Sequence, residues 1–332
     1  MIRNEESIEF LQMSRELFDI TTFHDLPHLE GKVPVAGRLS FAEVIRYHRE
    51  FRMTLPAPRY VFHHAFCCST LLVRSLAPPG VVFAYREPAS LTELALIDLG
   101  DRNFVRSETG IQLLAAISDL HCRVDPALNE LPLTKACDCV NGIIEPLLEV
   151  CPDARGVLLY SDLEPFVMGC LASEDRRTWT RGRLPAFRGW KVPGFTGDAP
   201  ARVLSDGETA ACLWALHMQL FADLARRLPE RVLSLDCEDL LDNPRDTVSR
   251  VARFLGLENG HTSEHAQETA RMHAKTATPF SAEKRRAEFE AMRPRLRSDL
   301  HQARLWCETE GLPPLGRVIF SRRSALPSGV VG

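Results

Sequence analysis

Arg231 to Leu257 reads RVLSLDCEDLLDNPRDTVSRVARFLGL, and this stretch decides the fold. Its first six residues, RVLSLD, form an apolar run of strand length. From Pro244 to Leu255 the spacing becomes helical, with Val248, Val251 and Phe254 on one face. Asp242 or Asn243 stands where a helix cap accepts backbone N–H groups. Pro244 suits the first turn because its φ is already helical, and Gly256 suits the left-handed residue that ends a helix. A strand leading into a capped amphipathic helix is the repeating unit of an α/β fold.

The same alternation runs through the rest of the chain. RYVFH (59–63), VVFAY (81–85), LPLTK (131–135) and GVLLY (156–160) read as short buried strands. Helical spacing separates them at 71–77, 91–99, 107–123, 141–150 and 163–171, and Glu208 to Leu228 is a strong amphipathic helix. Continuous apolar strands imply a parallel sheet covered by helices on both faces. Residues 174–206 are polar and rich in Arg, Gly and Pro, and are expected to form a long loop; 281–309 are expected to form one charged helix. The expectation is a single α/β domain over 1–332. It has an N-terminal extension (1–57), a core (58–260) and a C-terminal helical segment (261–332).

Composition bounds the function. The 332 residues are 45% hydrophobic and 25% charged, as in a globular chain, and the formal charge of -4 makes long nucleic acid a poor partner. The ten cysteines are scattered through apolar segments, as free thiols in a reducing compartment would be, and Cys137 and Cys139 lack a second pair at zinc-ligand spacing. No metal is expected. The opening MIRNEESIEF carries acids where a secretion signal has a basic start, and no apolar run approaches the roughly 20 residues that span a bilayer. A cytoplasmic protein without a membrane partner, monomeric or homodimeric, is the expectation.

Ligands of open parallel sheets bind at the carboxyl ends of the strands, and the candidate residues fall there. Between RYVFH and the next helix lies His63-His64-Ala65-Phe66-Cys67-Cys68-Ser69-Thr70-Leu71. A turn at this place aims backbone N–H groups and a helix N-terminus at an anion, and the hydroxyls of Ser69 and Thr70 can donate to phosphate oxygens or cap the helix.

Cys67-Cys68-Ser69-Thr70-Leu71-Leu72 resembles the 5'-phosphosulfate loop of the sulfotransferases, in which a basic residue precedes Ser-Gly-Thr-Thr and Leu-Leu. Glu238-Asp239-Leu240, Pro244 and Phe254-Leu255-Gly256-Leu257 also match that family in order and spacing. The resemblance implies a P-loop-like fold and the donor 3'-phosphoadenosine-5'-phosphosulfate (PAPS), with a small-molecule acceptor. It implies donor contacts from His64, Phe66, Cys67, Cys68, Ser69, Thr70 and Leu71. Two departures stand out: Phe66 replaces a Lys or Arg, and Cys68 replaces a Gly. His63, His64 or a basic residue from another loop has to restore the missing charge.

Sulfonate transfer needs a base for the acceptor oxygen and a cation for the leaving phosphate. Glu87, presented by the stiff Glu87-Pro88 turn, is the base expected from the resemblance. Lys135 is the expected cation; where the family's cytosolic branch has Lys-Thr-His, this chain reads Lys135-Ala136-Cys137, which removes the His. Asp162 and Cys170 stand where the family places an Arg and a Ser against the 3'-phosphate, and Lys275, Arg285 and Arg286 are the substitute cations. Arg188 and Trp190 are expected to shape an acceptor pocket. Two other functions compete: a catalytically impaired binding module with the same fold, and an ATP-dependent phosphotransferase. The latter is disfavoured because no Gly-x-x-x-x-Gly-Lys-Ser/Thr segment is present.

Overall fold

The computed structural model describes residues 2–3, 7–51, 54–101, 103–124, 128, 130–187, 203–258, 263–271 and 281–309. Strands β1 (Ile2–Arg3), β2 (Ser7–Leu11) and β3 (Val35–Ser40) form a small antiparallel sheet. Strands β4 (Arg59–His63), β5 (Val82–Arg86), β6 (Leu131–Lys135), β7 (Arg155–Tyr160) and β8 (Val232–Asp236) form a second sheet in the order β5-β6-β4-β7-β8. Every neighbouring pair in it is parallel. The expected α/β class and all five strands are therefore present.

Side chains alternate across the sheet and feed two cores. Tyr60, Phe62, Leu158 and Tyr160 face a layer that includes helices Ala89–Gly100, Glu108–Cys122, Asp206–Arg227 and Arg297–Thr309. Val61, Leu133, Val157, Leu159 and Leu235 face helices Ser69–Leu76 and Pro244–Leu255. Leu72, Leu76, Val248 and Val251 are fully buried, and each such side chain contributes about 1.5–3 kcal/mol of burial. In the strand–helix unit that opened the reading, Asn243 is the cap, accepting from Asp246 N–H at 3.4 Å, and Gly256 takes φ 66°.

Three expectations about secondary structure need correction. Residues 174–187 are a helix, Glu174–Phe187, and not the start of a loop. Arg177 and Arg181 tie it to Asp206 at 2.7 Å each, so tertiary ion pairs support a segment with few apolar positions. The C-terminal helix is two helices, Ala282–Met292 and Arg297–Thr309, broken at Pro294, which lacks an N–H and clashes with the preceding turn. The 141–150 helix starts as a 3₁₀ segment, Asp138–Ile143, before the α-helix Ile144–Val150.

Within the N-terminal segment, which periodicity left unplaced, Phe18 and His24 pack against edge strand β5. His24 N–H donates to Arg86 O at 2.6 Å, Arg86 N–H donates to His24 Nδ1 at 3.1 Å, and Ala89 N–H donates to His24 O at 2.9 Å. Phe18 stacks on Phe83 with ring centroids 4.3 Å apart. Among the described residues, no helix is long and apolar enough to cross a membrane.

Candidate active site

All five central strands point their carboxyl ends to one rim. His63 ends β4, and the chain then turns through His64–Cys68 into helix Ser69–Leu76. Phe66 (φ 64°) and Cys68 (φ 63°) both occupy the left-handed region. Such a conformation costs a residue with a Cβ about 1–2 kcal/mol, so two in three residues is a strained loop. Cys68 is the N-cap and makes no side-chain capping bond. Ser69 and Thr70 are therefore the first helical residues and not caps, and both are buried. The first-turn N–H groups have no intrahelical acceptor, which is the arrangement an anion requires.

The other loop residues hold this turn in place. Cys67 is fully buried, donates its S–H to His64 O at 2.9 Å, and has its thiol pushed well up by burial. The Leu71 side chain belongs to the core, which leaves its backbone as the part that can meet a ligand. His64 accepts the Ser161 N–H at Nε2 (2.7 Å), and its Nδ1 lies 2.8 Å from Ala65 O, so the ring proton sits on Nδ1. Burial lowers its pKa to about 4, so His64 is neutral and does not replace the lost loop charge.

Arg285 stands beside the loop. Its guanidinium is buried, donates to Glu238 Oε1 at 3.0 Å and reaches Phe66 O at 3.5 Å. Arg286 turns outward to Glu238 Oε2 (2.7 Å) and Asp242 Oδ1 (2.5 Å), a structural pairing beside the loop. Glu238, read from sequence as scaffold, therefore bridges both arginines. Lys275, Arg188 and Trp190 lie outside the described residues.

Beyond the loop, Phe66 packs so closely on Gly169 that a Cβ there would meet its own Cβ at 2.7 Å. The Phe66 ring also meets Trp179 (5.2 Å) and the Arg176 guanidinium (4.8 Å). Arg176 is a cation missed in the sequence, because its segment read as loop. Asp162 caps the start of helix Leu163–Leu171 positionally, and Cys170 is fully buried. Burial, with Asp162 and Asp239 nearby, raises Asp236 to about 6. This acidic flank lies at the ends of β7 and β8.

On the other side of β4 the structure joins the two expected catalytic residues. Lys135 Nζ, 1% exposed, is bound directly to Glu87 Oε1. Glu87 N–H also donates to Lys135 O at 2.7 Å, and Glu87 takes φ 55°, a further left-handed residue on the same rim. The Phe23 ring lies 4.9 Å from Lys135 Nζ, and His63 Nε2 lies 3.8 Å from Glu87 Oε1. Behind them, Asn141 Nδ2 donates to His63 O (2.9 Å) and His217 Nδ1 (3.1 Å). Cys137, at the family's His position, instead donates to Asp138 Oδ1 at 3.1 Å, and Asp138 pairs with Arg183 at 3.3 Å. His63 was read in the sequence as a source of loop charge only, and Phe23 was not singled out, since pairing across 112 positions leaves no local pattern.

Residues 201–301 match the model of the sulfotransferase domain family. Among solved structures, the sulfotransferase domain from the curacin biosynthetic pathway is 14% identical, with a TM-score of 0.47 over 79% of this chain and 99% of that one. The sulfotransferase domain from the Synechococcus PCC 7002 olefin synthase is 16% identical, with a TM-score of 0.37 over 79% and 98%. No curated protein matches. The sequence match spans β8, Glu238, helix Pro244–Leu255 and Arg285. Over residues 201–301 this chain is thus similar to the sulfotransferase domain family.

Proposed function

We propose that the protein transfers a sulfuryl group from PAPS to a hydroxyl of a small-molecule acceptor. The observation that carries this reading is the buried Lys135–Glu87 pair on the same sheet rim as the uncapped start of helix Ser69–Leu76. An anionic donor fits the loop side: first-turn N–H groups, the Ser69 and Thr70 hydroxyls and the Arg285 guanidinium converge there.

When bound, the donor supplies an electrophilic sulfuryl group on its 5'-phosphate. Glu87 draws the proton from the acceptor hydroxyl as that oxygen forms its bond to sulfur. Lys135 and the loop donors stabilise the negative charge left on the 5'-phosphate as its bond to sulfur breaks. Arg176, which donates to Gly169 O beside Cys170, and Arg286, Arg293 and Arg304, which line one pocket with Asp162, are described cations near the position of the family's 3'-phosphate contacts.

The acidic flank of Asp162 and Asp236 favours a second reading, a binding module that has lost donor affinity. Calorimetry with 3'-phosphoadenosine-5'-phosphate (PAP) separates the two. The sulfotransferase reading requires saturable binding, and transfer of label from PAPS to a hydroxylated metabolite. Binding of ATP in preference to PAP would favour the phosphotransferase alternative.

A further inference from the structure

We propose that a cleft at the amino edge of the sheet is a second ligand site, which takes a medium-chain organic anion with its tail against β2 and β3 and its head on Arg123. The site stands apart from the sulfotransferase reading and uses none of the residues assigned to it.

The cleft has a volume of about 410 Å³, within the roughly 300–1,000 Å³ of small-molecule sites. Strands β2 and β3 with helix Phe41–Glu50 form one wall, and helix Glu108–Cys122 forms the other. Phe10, Val44, Ala116 and Leu120 make most of the lining apolar, which suits a hydrocarbon chain. Tyr47, also in the lining, is 45% exposed, so the cleft opens to solvent.

A missing side chain makes the space. Gly37 pairs with Phe10 across β2 and β3, so a side chain at 37 would share a face with the Phe10 ring. A Cβ at position 37 would meet no described atom within 4 Å, and the φ there lies outside the left-handed region. Neither a close neighbour nor the backbone therefore requires glycine at this strand position. A glycine inside a strand weakens it, and here it leaves the floor beside Phe10 open.

Charge selects the head group. Arg38, His48 and Arg123 stand in the lining. Arg38 is bound to Glu9, and His48 Nε2 lies 2.7 Å from Asp119 Oδ2. Arg123 pairs with no carboxylate among the described residues. It is half-buried, lies 5.6 Å from the centre of the Tyr47 ring and donates to Phe51 O at 3.0 Å. A guanidinium carries five N–H donors in a fixed fork, so donors remain for an oxyanion. The carboxyl end of helix Glu108–Cys122 offsets about half a charge at most. A net positive group therefore borders an apolar cleft, and an amphipathic anion complements both. The site is remote from the anion loop. Helix Glu108–Cys122 ends before Leu131 starts β6, whereas Lys135 ends β6 at the opposite rim. The length of that strand, roughly 13 Å at about 3.3 Å per residue, lies between the two.

The experiment is calorimetry on the full chain with octanoate, 1-octanol and octyltrimethylammonium as probes. Octanoate should bind saturably, one per chain, and about tenfold or more tightly than 1-octanol, the fold-change of one charge-assisted hydrogen bond. The cation should bind weakest. Arg123→Gln should keep 1-octanol binding and erase the preference for octanoate. Gly37→Phe should abolish binding of both, with a thermal melt of each variant reporting its folding. Should Gly37→Phe fail to fold, the ratio of the two affinities in Arg123→Gln decides alone. Absent octanoate binding, equal affinity for octanoate and 1-octanol in the wild type, or a preference that survives Arg123→Gln would overturn the site. Competition by PAP would place octanoate in the anion loop and overturn it as well. Self-association that Gly37→Phe abolishes, with octanoate unbound, would give the cleft to a second copy instead. A wild type that binds octanoate as expected but not PAP would defeat the sulfotransferase reading and leave this site standing.

Discussion

Arg285 places a guanidinium nitrogen 3.5 Å from the carbonyl oxygen of Phe66, a residue 219 positions earlier in the chain. A cation from helix Ala282–Met292 thus borders the loop, paired with the Glu238 carboxylate at 3.0 Å. Removing it should weaken the anion site. Arg285→Ala is expected to reduce PAP affinity by roughly 1.5–3 kcal/mol, or about tenfold to a hundredfold, with Arg285→Lys intermediate. Calorimetry beside a thermal melt distinguishes lost affinity from lost folding.

Ser69 and Thr70 open the helix with buried hydroxyls. Replacing both with Ala should cost about 1.5–3 kcal/mol of PAP binding for each charged hydrogen bond removed. Unchanged affinity would move the anion away from this loop.

Glu87→Gln should lower turnover by about 10²–10⁴-fold while donor binding persists, the range for losing general-base assistance. Lys135→Ala should also lower turnover, because the charge opposite the leaving phosphate is removed. It also leaves Glu87, 16% exposed at its side chain, without its ammonium partner, so a lower melting temperature should accompany it. A Glu87→Gln enzyme with wild-type kcat would contradict the role of this pair.

Cys68 adopts φ 63° where the resembling loop has Gly. The left-handed conformation costs about 1–2 kcal/mol, and a Gly substitution returns about 0.5–1 kcal/mol of that as unfolded-chain entropy. Cys68→Gly should therefore stabilise the protein by up to about 1 kcal/mol, read from the urea midpoint. Destabilisation would show that the Cys68 thiol contributes more than its backbone strain costs.

Acid should unfold the protein early. Burial lowers the pKa of His64 and His121 to about 4 and of His24 to about 3, from an ordinary 6.5. Below about pH 6.5 the unfolded chain binds these protons and the folded chain resists them. Stability is then present above that pH and is lost as pH falls toward 4, by about 1.4 kcal/mol per pH unit for each such histidine. Asp236 acts in the opposite sense, since its folded value of about 6 stands above the ordinary 3.8 and stabilises the fold as pH falls. Burial also lowers His217 and raises Asp98 and Asp138, so four histidines stand against three carboxyls, and the urea midpoint at pH 5 should lie below that at pH 7; an equal midpoint would refute the burial argument.

Much of the site was legible because its residues terminate strands. Glu87 follows β5 and Lys135 ends β6, and parallel neighbours in register bring such positions together. His63 was visible as a strand-end histidine, but its approach to Glu87 at 3.8 Å comes from the assembly of β4 and β5 on either side of β6. Arg176 was hidden because the buried face of helix Glu174–Phe187 is short, Thr180, Leu184 and Phe187, and its ion pairs to Asp206 are tertiary.

The local pattern of apolar runs, caps and breakers was enough for the five central strands and for the helix from Pro244 to Gly256, because burial periodicity and backbone chemistry act over a few residues. The split of the C-terminal helix at Pro294 belongs to that local class too, and the missing N–H was there to be read. Only the tertiary structure decided that Arg285 lies beside the loop and that burial holds His64 neutral. The same holds for Phe23 covering Lys135 and for Glu238 holding two arginines. Those contacts join segments dozens to hundreds of residues apart, and their energies depend on burial and distance, which come into being when the sheet assembles.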